Sequence, residues 1–303
     1  MIESIFIEGL IYGIVVLGTF FTYRVLNFCD MTVDGSFPMG ACVLSECLVH
    51  GLPVSLSLVI AFASGLAAGL ITSLIYTKLH IPDLLSGILT MTMLYSINLR
   101  IMENRANISF LQYDTLFSRI IDGLYEIDFA LAPEWGIVAF LVVFVLIIKG
   151  LLDLFFHTDM GLTMGALGAN PQLVISQGVN PDILRTIGIC FSNGIVAVAG
   201  AFCAMYNGFA DVNFGSGTVV SALASLMLGE FIIRSNKIGM QTLRVLIGSI
   251  IYRALMILAR TYGHYINLTP NDLKLITGIL IIICLVITKI KFPIKKHNKG
   301  AVK

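Results

Sequence analysis

The chain has 303 residues, of which 57% are hydrophobic and 12% are charged, and its formal net charge is +1. Soluble globular proteins carry about 25% charged residues, so this composition excludes an ordinary soluble enzyme and indicates a polytopic membrane protein. Basic residues are also too few for a nucleic-acid-binding surface, and we expect no nucleic-acid partner.

Apolar runs recur along the whole chain. A bilayer core of about 30 Å requires about 20 apolar residues per helix, which predicts an all-α fold with about 8–10 transmembrane segments. The candidate runs are Ile5 to Tyr23, Phe37 to Val49, Val54 to Tyr76, Leu84 to Met102, Trp135 to Phe156, Thr186 to Tyr206, Val219 to Ile233, Val245 to Tyr262 and Leu273 to Ile290. The second and seventh runs are too short for plain spans, so we predict broken or re-entrant helices there. We expect residues 1–303 to form a single transmembrane domain.

Two segments of the chain share a pattern. Residues Asn27 to Ser36 and Asn207 to Ser216 both contain Asn, then Phe-x-Asp, then Gly-Ser, and each precedes one of the short runs. Five predicted crossings separate the two segments, which would place them at opposite membrane faces. We therefore predict an inverted internal repeat whose broken helices line a central pathway, with a chance match as the alternative.

Charges in the connections predict the orientation, because cytoplasmic loops are enriched in Lys and Arg. The basic tail, residues 289–303, contains six lysines and no acidic residue, which favours a cytoplasmic C-terminus. The connection from Glu103 to Glu134 contains two arginines and six acidic residues, which favours the outside. Nine crossings satisfy both assignments, with the N-terminus outside and residues 157–185 in a cytoplasmic loop.

A polar interruption, Met160 to Arg185, separates two long apolar runs. Asn170-Pro171 and Asn180-Pro181 each place a capping side chain before a proline at the first helical position, which predicts two successive helix starts. Gly178 is expected to end the first helix. The pattern predicts a short helix outside the membrane that a partner could grip.

Ionisable side chains within apolar runs are costly unless they face protein or water. Arg253 could recognise a substrate carboxylate, or it could form a structural ion pair with Glu230 or Glu46. Asp30, Asp34 and Asp211 could line a passage or simply cap helices. We assign the pathway to Asp30, Thr32, Asp34, Gly35, Ser36, Asn193, Asn207, Asp211, Asn213 and Arg253.

The run from Arg24 to Pro38, which includes Asp30-Met31-Thr32-Val33-Asp34-Gly35-Ser36-Phe37-Pro38, resembles the permease subunits of ABC importers related to branched-chain amino acid permeases. The elements Gly165-x-x-Gly168-x-Asn170-Pro171 and Gly178-Val179-Asn180 support this resemblance, which is strongest to the tryptophan and tyrosine uptake subgroup. It implies a homodimer or paired permease, two ATP-binding subunits and an extracytoplasmic substrate-binding protein in a bacterial inner or plasma membrane. It also implies a coupling helix that docks into the ATPase, and the residues assigned to it are Gly165, Gly168, Asn170, Pro171, Gln172, Gln177, Gly178 and Asn180.

The sequence gives little support for catalysis or cofactor binding by the chain itself. It contains no G-x-x-x-x-G-K-[ST] phosphate-binding loop, no HExxH and no CxxC pair. We expect a non-catalytic subunit with no metal or cofactor of its own, and ATP and Mg would bind to the partner ATPase. The alternatives are an ion-coupled secondary carrier or channel, a permease for another small organic solute such as a sugar or nucleoside, and an intramembrane enzyme.

Overall fold

The computed structural model describes residues 1–110, 112–126, 134–233, 235, 237–262 and the isolated positions 275, 278–279, 282–283 and 286. The helices in this part of the chain are α1 (Ile2–Phe20), α2 (Val33–Val49), α3 (Val54–Leu79), α4 (Asp83–Ile101), α5 (Leu116–Glu126), α6 (Glu134–Phe156), α7 (Asp159–Ala169), α8 (Pro171–Ser176), α9 (Pro181–Asn207), α10 (Thr218–Ile232) and α11 (Ile238–Tyr262). A π-helix, Phe21–Val25, continues α1, and a 3-10 helix, Val212–Gly215, precedes α10. Strands β1 (Asn107–Ser109) and β2 (Phe209–Asp211) pair antiparallel, with Asn107 opposite Asp211.

Seven helical segments in the described part of the chain are long and apolar enough to cross a membrane. They are Ile2–Val25, Val54–Leu79, Asp83–Ile101, Glu134–Phe156, Pro181–Asn207, Val212–Ile232 and Ile238–Tyr262. The predicted all-α polytopic fold is confirmed. Helix α2 has 17 residues and is not among the seven segments, whereas α10, with 15 residues, joins the preceding 3-10 helix in the segment Val212–Ile232. That these helices are broken or re-entrant stays a prediction. The ninth predicted run lies outside the described residues except for isolated positions, and the basic tail, residues 289–303, lies entirely outside them.

Contacts divide the chain into two compact units, Met1–Ala254 and Leu255–Lys303. All the packing described below lies within the first unit. The prediction of a single transmembrane domain stays a prediction.

Helix α9 is the centre of the first unit. In the most apolar stretch of α9, 83% of the residues are buried, and in that of α1, 78% are buried. In the corresponding stretches of α4 and α6 only 28% of the residues are buried. Helices α2 and α3 approach α9 so closely that a side chain on Gly40 or Gly65 would collide with the α9 carbonyl groups of Ala197 and Asn193. Small residues thus allow backbone-to-backbone contact, as is typical of membrane helices, while α4 and α6 keep large apolar side chains on their outer faces.

The two short helices start at the same place and run in opposite directions. Ser36 contacts Asn193, near the middle of α9, and Gly40 contacts Ala197, so α2 runs from there toward the C-terminal end of α9. Helix α10 begins beside the first turn of α2 and ends beside Arg24. We call the end of the unit that carries β1 and β2 the strand end, and the end that carries α7 and α8 the α8 end.

Two elements of the connection between α4 and α6 were not predicted. The amphipathic helix α5 and the three-residue strand β1 both lie between Glu103 and Glu134, a connection to which we had assigned no helix or strand. Strand β1 pairs with β2, which belongs to the second motif segment, so the pairing joins residues about 100 positions apart.

Candidate functional site

A buried network of neutral donors surrounds the Asp30 carboxylate at the start of α2. The side-chain amide of Asn193 donates to Asp30 Oδ2 at 2.7 Å and to the Ile189 carbonyl at 3.0 Å, and Asn193 Oδ1 accepts from the Ser36 hydroxyl at 2.7 Å. The backbone N–H of Thr32 donates to Asp30 Oδ1 at 2.9 Å. The Asp30, Ser36 and Asn193 side chains are all buried, so the network is sealed from solvent.

Helix α3 joins this network through a hydroxyl pair. The hydroxyl oxygens of Thr32 and Thr72 are 2.7 Å apart, and both residues are fully buried. We call Asp30, Thr32, Ser36, Thr72 and Asn193 the Asn193 network. It ties the start of α2 to both α3 and α9, so the position of this helix start is set by hydrogen bonds from two neighbouring helices.

Asp34 connects the two short helices. Its carboxylate accepts from the backbone N–H groups of Val219 at 2.7 Å and Gly217 at 3.2 Å, in the first turn of α10. A carboxylate at a helix N-terminus satisfies free N–H groups and is favoured by the helix dipole. Asp34 therefore caps α10, a helix 183 residues away in sequence, rather than α2, on which it lies.

A cavity of about 360 Å³ opens beside this contact. It is lined by residues of α2, α4 and the segment before α10: Asp34, Gly35, Pro38, Met91, Thr92, Tyr95, Asn98, Val212, Asn213 and Ser216. Asn98 is fully buried and donates from Nδ2 to the Gly35 carbonyl at 3.2 Å. Its Oδ1 has no hydrogen-bonding partner among the described residues. Three predicted pathway residues, Asp34, Gly35 and Asn213, thus line one cavity.

The short helix at the α8 end matches its predicted position. Helix α8 has Pro171 at its first position, and Gly178 adopts the left-handed conformation with φ of +79°. Asn180 caps α9 by accepting from the N–H of Asp182 at 2.9 Å. These features confirm two successive helix starts with Gly178 between them.

One part of that prediction is wrong. Asn170 precedes α8 but its side chain makes no capping hydrogen bond. The N–H group of Leu173 is instead bonded to the backbone carbonyl of Asn170 at 3.2 Å, and Pro171 has no N–H group to offer. The preceding helix, α7, was not predicted as a separate element, and it is capped by Thr158, whose hydroxyl accepts from the N–H of Gly161.

The family model for the branched-chain amino acid transport system / permease component matches residues 1–285. The chain belongs to this permease family. A tyrosine transport system permease protein of Clostridioides difficile (strain R20291) is 38% identical over 297 residues, which cover 98% of this chain and 94% of the relative. These findings confirm the resemblance to branched-chain amino acid permeases and to the tryptophan and tyrosine uptake subgroup.

Two further comparisons are more distant. The galactose/methyl galactoside import permease protein MglC of Escherichia coli (strain K12) is 26% identical over 249 residues, which cover 81% of this chain and 70% of the relative. The solved structure of PsaBC from Streptococcus pneumoniae in complex with Fab has a TM-score of 0.50 at 13% identity, and the match covers 95% of this chain and 94% of that one. The structural likeness concerns the fold alone. With its apolar helices, the permease is a multi-pass membrane protein of the ABC transport type.

Arg253 of the permease lies away from the cavity, and both predicted ion pairs are wrong. Its guanidinium is 3.5 Å from Glu8 and stacks over the ring of Tyr12, both on α1. The reason is the close packing of α11 on α1, where the Ser249 hydroxyl donates to the carbonyl of Gly9 at 2.8 Å. Sequence offered no means of choosing Glu8 over the other acidic residues.

Two other predicted pathway residues make local contacts. The side-chain amide of Asn207 donates to the carbonyl of Cys203 one turn earlier in α9, at 2.9 Å. Asp211 accepts from the N–H of Asn213 at 2.7 Å and caps the 3-10 helix. The structure therefore gathers the first motif segment, Asn193, Asn213 and, through its bonds to Asn213, Asp211. Asn207 and Arg253 make their contacts elsewhere.

Glu230 belongs to an ion cluster at the α8 end. Its Oε1 lies 3.1 Å from Arg24 Nε and 2.7 Å from Arg244 Nη2, so that one carboxylate joins the ends of α1 and α10 to α11. We call these three residues the Glu230 cluster. Nothing in the sequence indicated that Arg24 and Arg244 share Glu230 as a partner, and this cluster was missed.

The residues assigned to coupling fall into two groups. Asn170, Pro171, Gln172, Gln177, Gly178 and Asn180 are exposed around α8. Gly165 is also exposed, on α7, but Gly168 packs against the carbonyl group of Val25 at the end of the π-helix. Gly168 thus holds α7 against the end of α1.

Met91 and Tyr95 were missed as cavity-lining residues. Together with Asn98 they follow the spacing i, i+4 and i+7, which places them on one face of α4. This spacing around a buried asparagine is the signal that could have found them.

Proposed function

We propose that this permease is the membrane-spanning subunit of an ATP-driven importer for amino acids, of the aromatic type named for its tyrosine-transport relative. Separate ATPase subunits bind ATP and Mg and hydrolyse the nucleotide. A second permease copy and an extracytoplasmic substrate-binding protein complete the assembly in a bacterial inner or plasma membrane. The N-terminus lies outside, and the C-terminus and α8 lie in the cytoplasm.

The exposed apolar surface of α8 is the observation that carries this proposal. Val174 is buried, but its neighbours Leu173 and Ile175 are 48% and 50% exposed, and Val179 is 36% exposed. Helix α8 is not part of any segment of spanning length, so these side chains do not belong to a membrane span. Exposed apolar patches outside the membrane are typical of protein interaction sites. Because the chain belongs to a family of transport-system permeases, we propose the ATPase subunit as the partner that binds this patch.

A continuous series of contacts leads from α8 to the cavity. Helix α7 packs on Val25 through Gly168, and the adjacent Arg24 pairs with Glu230 at the end of α10. At its other end, α10 is held by Asp34 of α2, which lines the cavity. Movement of α8 by the ATPase would thus be transmitted to the cavity through α10. A ligand can shift such an equilibrium only by its different affinity for the two states, so ATP must favour one arrangement of these helices.

A permease for a sugar or nucleoside, or an ion-coupled carrier, is the second candidate. The similarity to MglC, over 81% of the chain, favours a sugar. The identity is lower than with the tyrosine transport permease, 26% against 38%, so we place amino acids first.

Reconstitution tests the proposal. Proteoliposomes that contain the permease with its ATPase should transport amino acids only when ATP is supplied, and vesicles that contain the permease alone should not accumulate them. Accumulation by the permease alone, driven by an ion gradient, would overturn the proposal in favour of a carrier. ATP-dependent transport of a sugar but of no amino acid would retain the ATP-driven permease and reject the substrate class.

Substituting Gly178 tests the coupling role of α8. Gly178→Val places a β-branched residue in a left-handed conformation, which costs about 1–2 kcal/mol and should misplace the end of α8. We expect transport-coupled ATPase activity to fall several-fold. The matched control is Gly51→Val at the strand end, because Gly51 also has a positive φ, of +74°, and open space around it. Equal activity of the two variants would show that α8 does not couple.

A further inference from the structure

The cavity beside Asp34 offers a carboxylate and a buried amide oxygen as hydrogen-bond acceptors. The Asp34 carboxylate uses two acceptor positions on α10, out of about four that a carboxylate has. The amide orientation of Asn98 is set by its bond to the Gly35 carbonyl, which leaves Oδ1 as a buried acceptor with no described donor. Among the described residues that line the cavity there is no Lys, Arg or His.

Two of the polar donors at the cavity wall are already used, and the Tyr95 and Ser216 hydroxyls can accept as well as donate. The Thr92 hydroxyl donates to the carbonyl of Leu89 at 2.8 Å, and the Asn213 amide donates to Asp211 at 3.1 Å. Asp34 is the one acidic side chain among the described lining residues, and none of them is basic. A buried acceptor without a donor is unfavourable, so a ligand that supplies N–H groups would be stabilised there.

The rest of the wall is apolar and partly aromatic. Met91 and Tyr95 lie on one face of α4, and Val212 lies opposite them before α10. Tyr95 is 48% exposed, so its ring is accessible for stacking. A volume of about 360 Å³ lies within the range of small-molecule sites, roughly 300–1,000 Å³.

We infer that this cavity is a binding site for the ammonium group of a small amine, with Asp34 as its charge partner, Asn98 Oδ1 as a hydrogen-bond acceptor, and Tyr95 and Met91 against its apolar part. The inference rests on the proposed function and narrows it: the permease itself recognises the amino group of an amino acid. A sugar has no ammonium group, and a carboxylate would find no cation on the described wall.

Three related compounds test which group is recognised. Tyrosine has both an ammonium and a carboxylate, tyramine has the ammonium only, and 3-(4-hydroxyphenyl)propionate has the carboxylate only. Binding is measured with the full-length permease in lipid nanodiscs, by displacement of radiolabelled tyramine. We expect tyrosine and tyramine to bind and 3-(4-hydroxyphenyl)propionate to bind at least about tenfold more weakly, because a hydrogen bond to a charged group contributes roughly 1.5–3 kcal/mol. Equal binding of tyramine and the propionate would overturn the inference.

Two substitutions test the residues. Asp34→Asn removes the charge with little change in size and should weaken tyramine binding at least about tenfold. Asp114→Asn, at an exposed position outside the cavity, is the matched control and should bind as the wild type does. Undiminished tyramine binding by Asp34→Asn would contradict the assignment.

A substitution at Thr92 tests the cavity while leaving the hydrogen bonds between Asp34 and the start of α10 intact. Thr92 is an exposed cavity-lining residue, so Thr92→Lys adds a cation to the wall without removing a buried group. It should abolish tyramine binding and raise the affinity for 3-(4-hydroxyphenyl)propionate, which is measured for this variant by direct binding of the radiolabelled propionate. Ser96→Lys, exposed on the same helix but outside the lining, is the control and should leave tyramine binding unchanged. If Thr92→Lys behaves as Ser96→Lys does, the cavity is not the amine site.

These outcomes are separable from failure of the proposed function. ATP-dependent uptake by the complete transporter together with no preference for tyramine would retain the importer and remove the ammonium site. Tyramine binding that depends on Asp34, in a protein that transports without an ATPase, would retain the site and remove the importer.

Discussion

The Asn193 network and the Glu230 cluster both hold the permease helices together, but they use different chemistry. The Asn193 network satisfies one buried carboxylate with neutral amide, hydroxyl and backbone groups. The Glu230 cluster places one carboxylate between two arginines, and the side chain of Arg24 is 55% exposed while that of Arg244 is 7% exposed. The first is sealed inside the helix bundle, and the second opens to one end of it.

The difference in exposure and in the type of partner predicts how the stability of each cluster responds to substitution. Buried polar groups depend on every partner, because a group that loses its partner cannot be rehydrated. Exposed ion pairs contribute little, because water and salt replace the lost partner. The Asn193 network should therefore be rigid and intolerant of substitution. Within the Glu230 cluster the exposed Arg24–Glu230 pair should be adjustable, which suits a contact on the route from α8.

The largest effect is expected for Asn193→Leu. Leucine would leave Asp30 Oδ2 and the Ser36 hydroxyl buried without their present partner, and we expect a loss of about 2–4 kcal/mol in the free energy of unfolding. Unfolding is measured by denaturant titration in detergent micelles. Ser192→Ala is the control, because Ser192 is equally buried but makes a single neutral bond, to the Gly18 carbonyl, and should cost about 1 kcal/mol. Equal losses in the two variants would show that the network is no more than the sum of ordinary hydrogen bonds.

A smaller effect is expected for Glu230→Gln. Glutamine keeps the size but removes the charge, which leaves the buried guanidinium of Arg244 without its counter-ion, and we expect a loss of about 1–2 kcal/mol. The measurement is the same titration, made at low salt. A loss as large as that of Asn193→Leu would mean that the two clusters do not differ as described.

The smallest effect is expected for Arg24→Gln. More than half of this side chain is exposed, so its pair with Glu230 should contribute less than about 1 kcal/mol. Raising the salt concentration from 0.1 M to 1 M should reduce that contribution further, because the screening length falls from about 10 Å to about 3 Å. The loss caused by Asn193→Leu should not change with salt. A salt-independent Arg24→Gln effect would indicate that this end of the bundle is sealed as well.

Sequence patterns predicted what depends on neighbours along the chain. Apolar runs predicted the long helices. The helix end at Gly178 and the helix cap at Asn180 were predicted correctly, because a left-handed glycine and a capping side chain act on adjacent residues. The same reasoning failed at Asn170, where the backbone carbonyl took the N–H group that the side chain was expected to bind.

Contacts between distant residues could not be predicted in this way. Asn193 bonds to Ser36 and Asp30 across 157 and 163 residues, and Asp34 bonds to Val219 across 185. The polar character of these residues made them candidates, but their pairing depends on how α2, α9 and α10 pack. The partner of Arg253 could not be predicted for the same reason. Glu8 lies 245 positions away, and nothing in the sequence distinguished it from other acidic residues of equal charge.

The close approach of α2 and α3 to α9 restricts which parts of the permease can move. At Gly40 and Gly65 one main chain rests directly on another, so these helices cannot slide without lifting a backbone over the neighbouring carbonyl groups. We expect the three helices to travel as a block during a transport cycle. A disulfide engineered across one of these seams should then leave the turnover rate intact, whereas one between the first turns of α2 and α10 should arrest it.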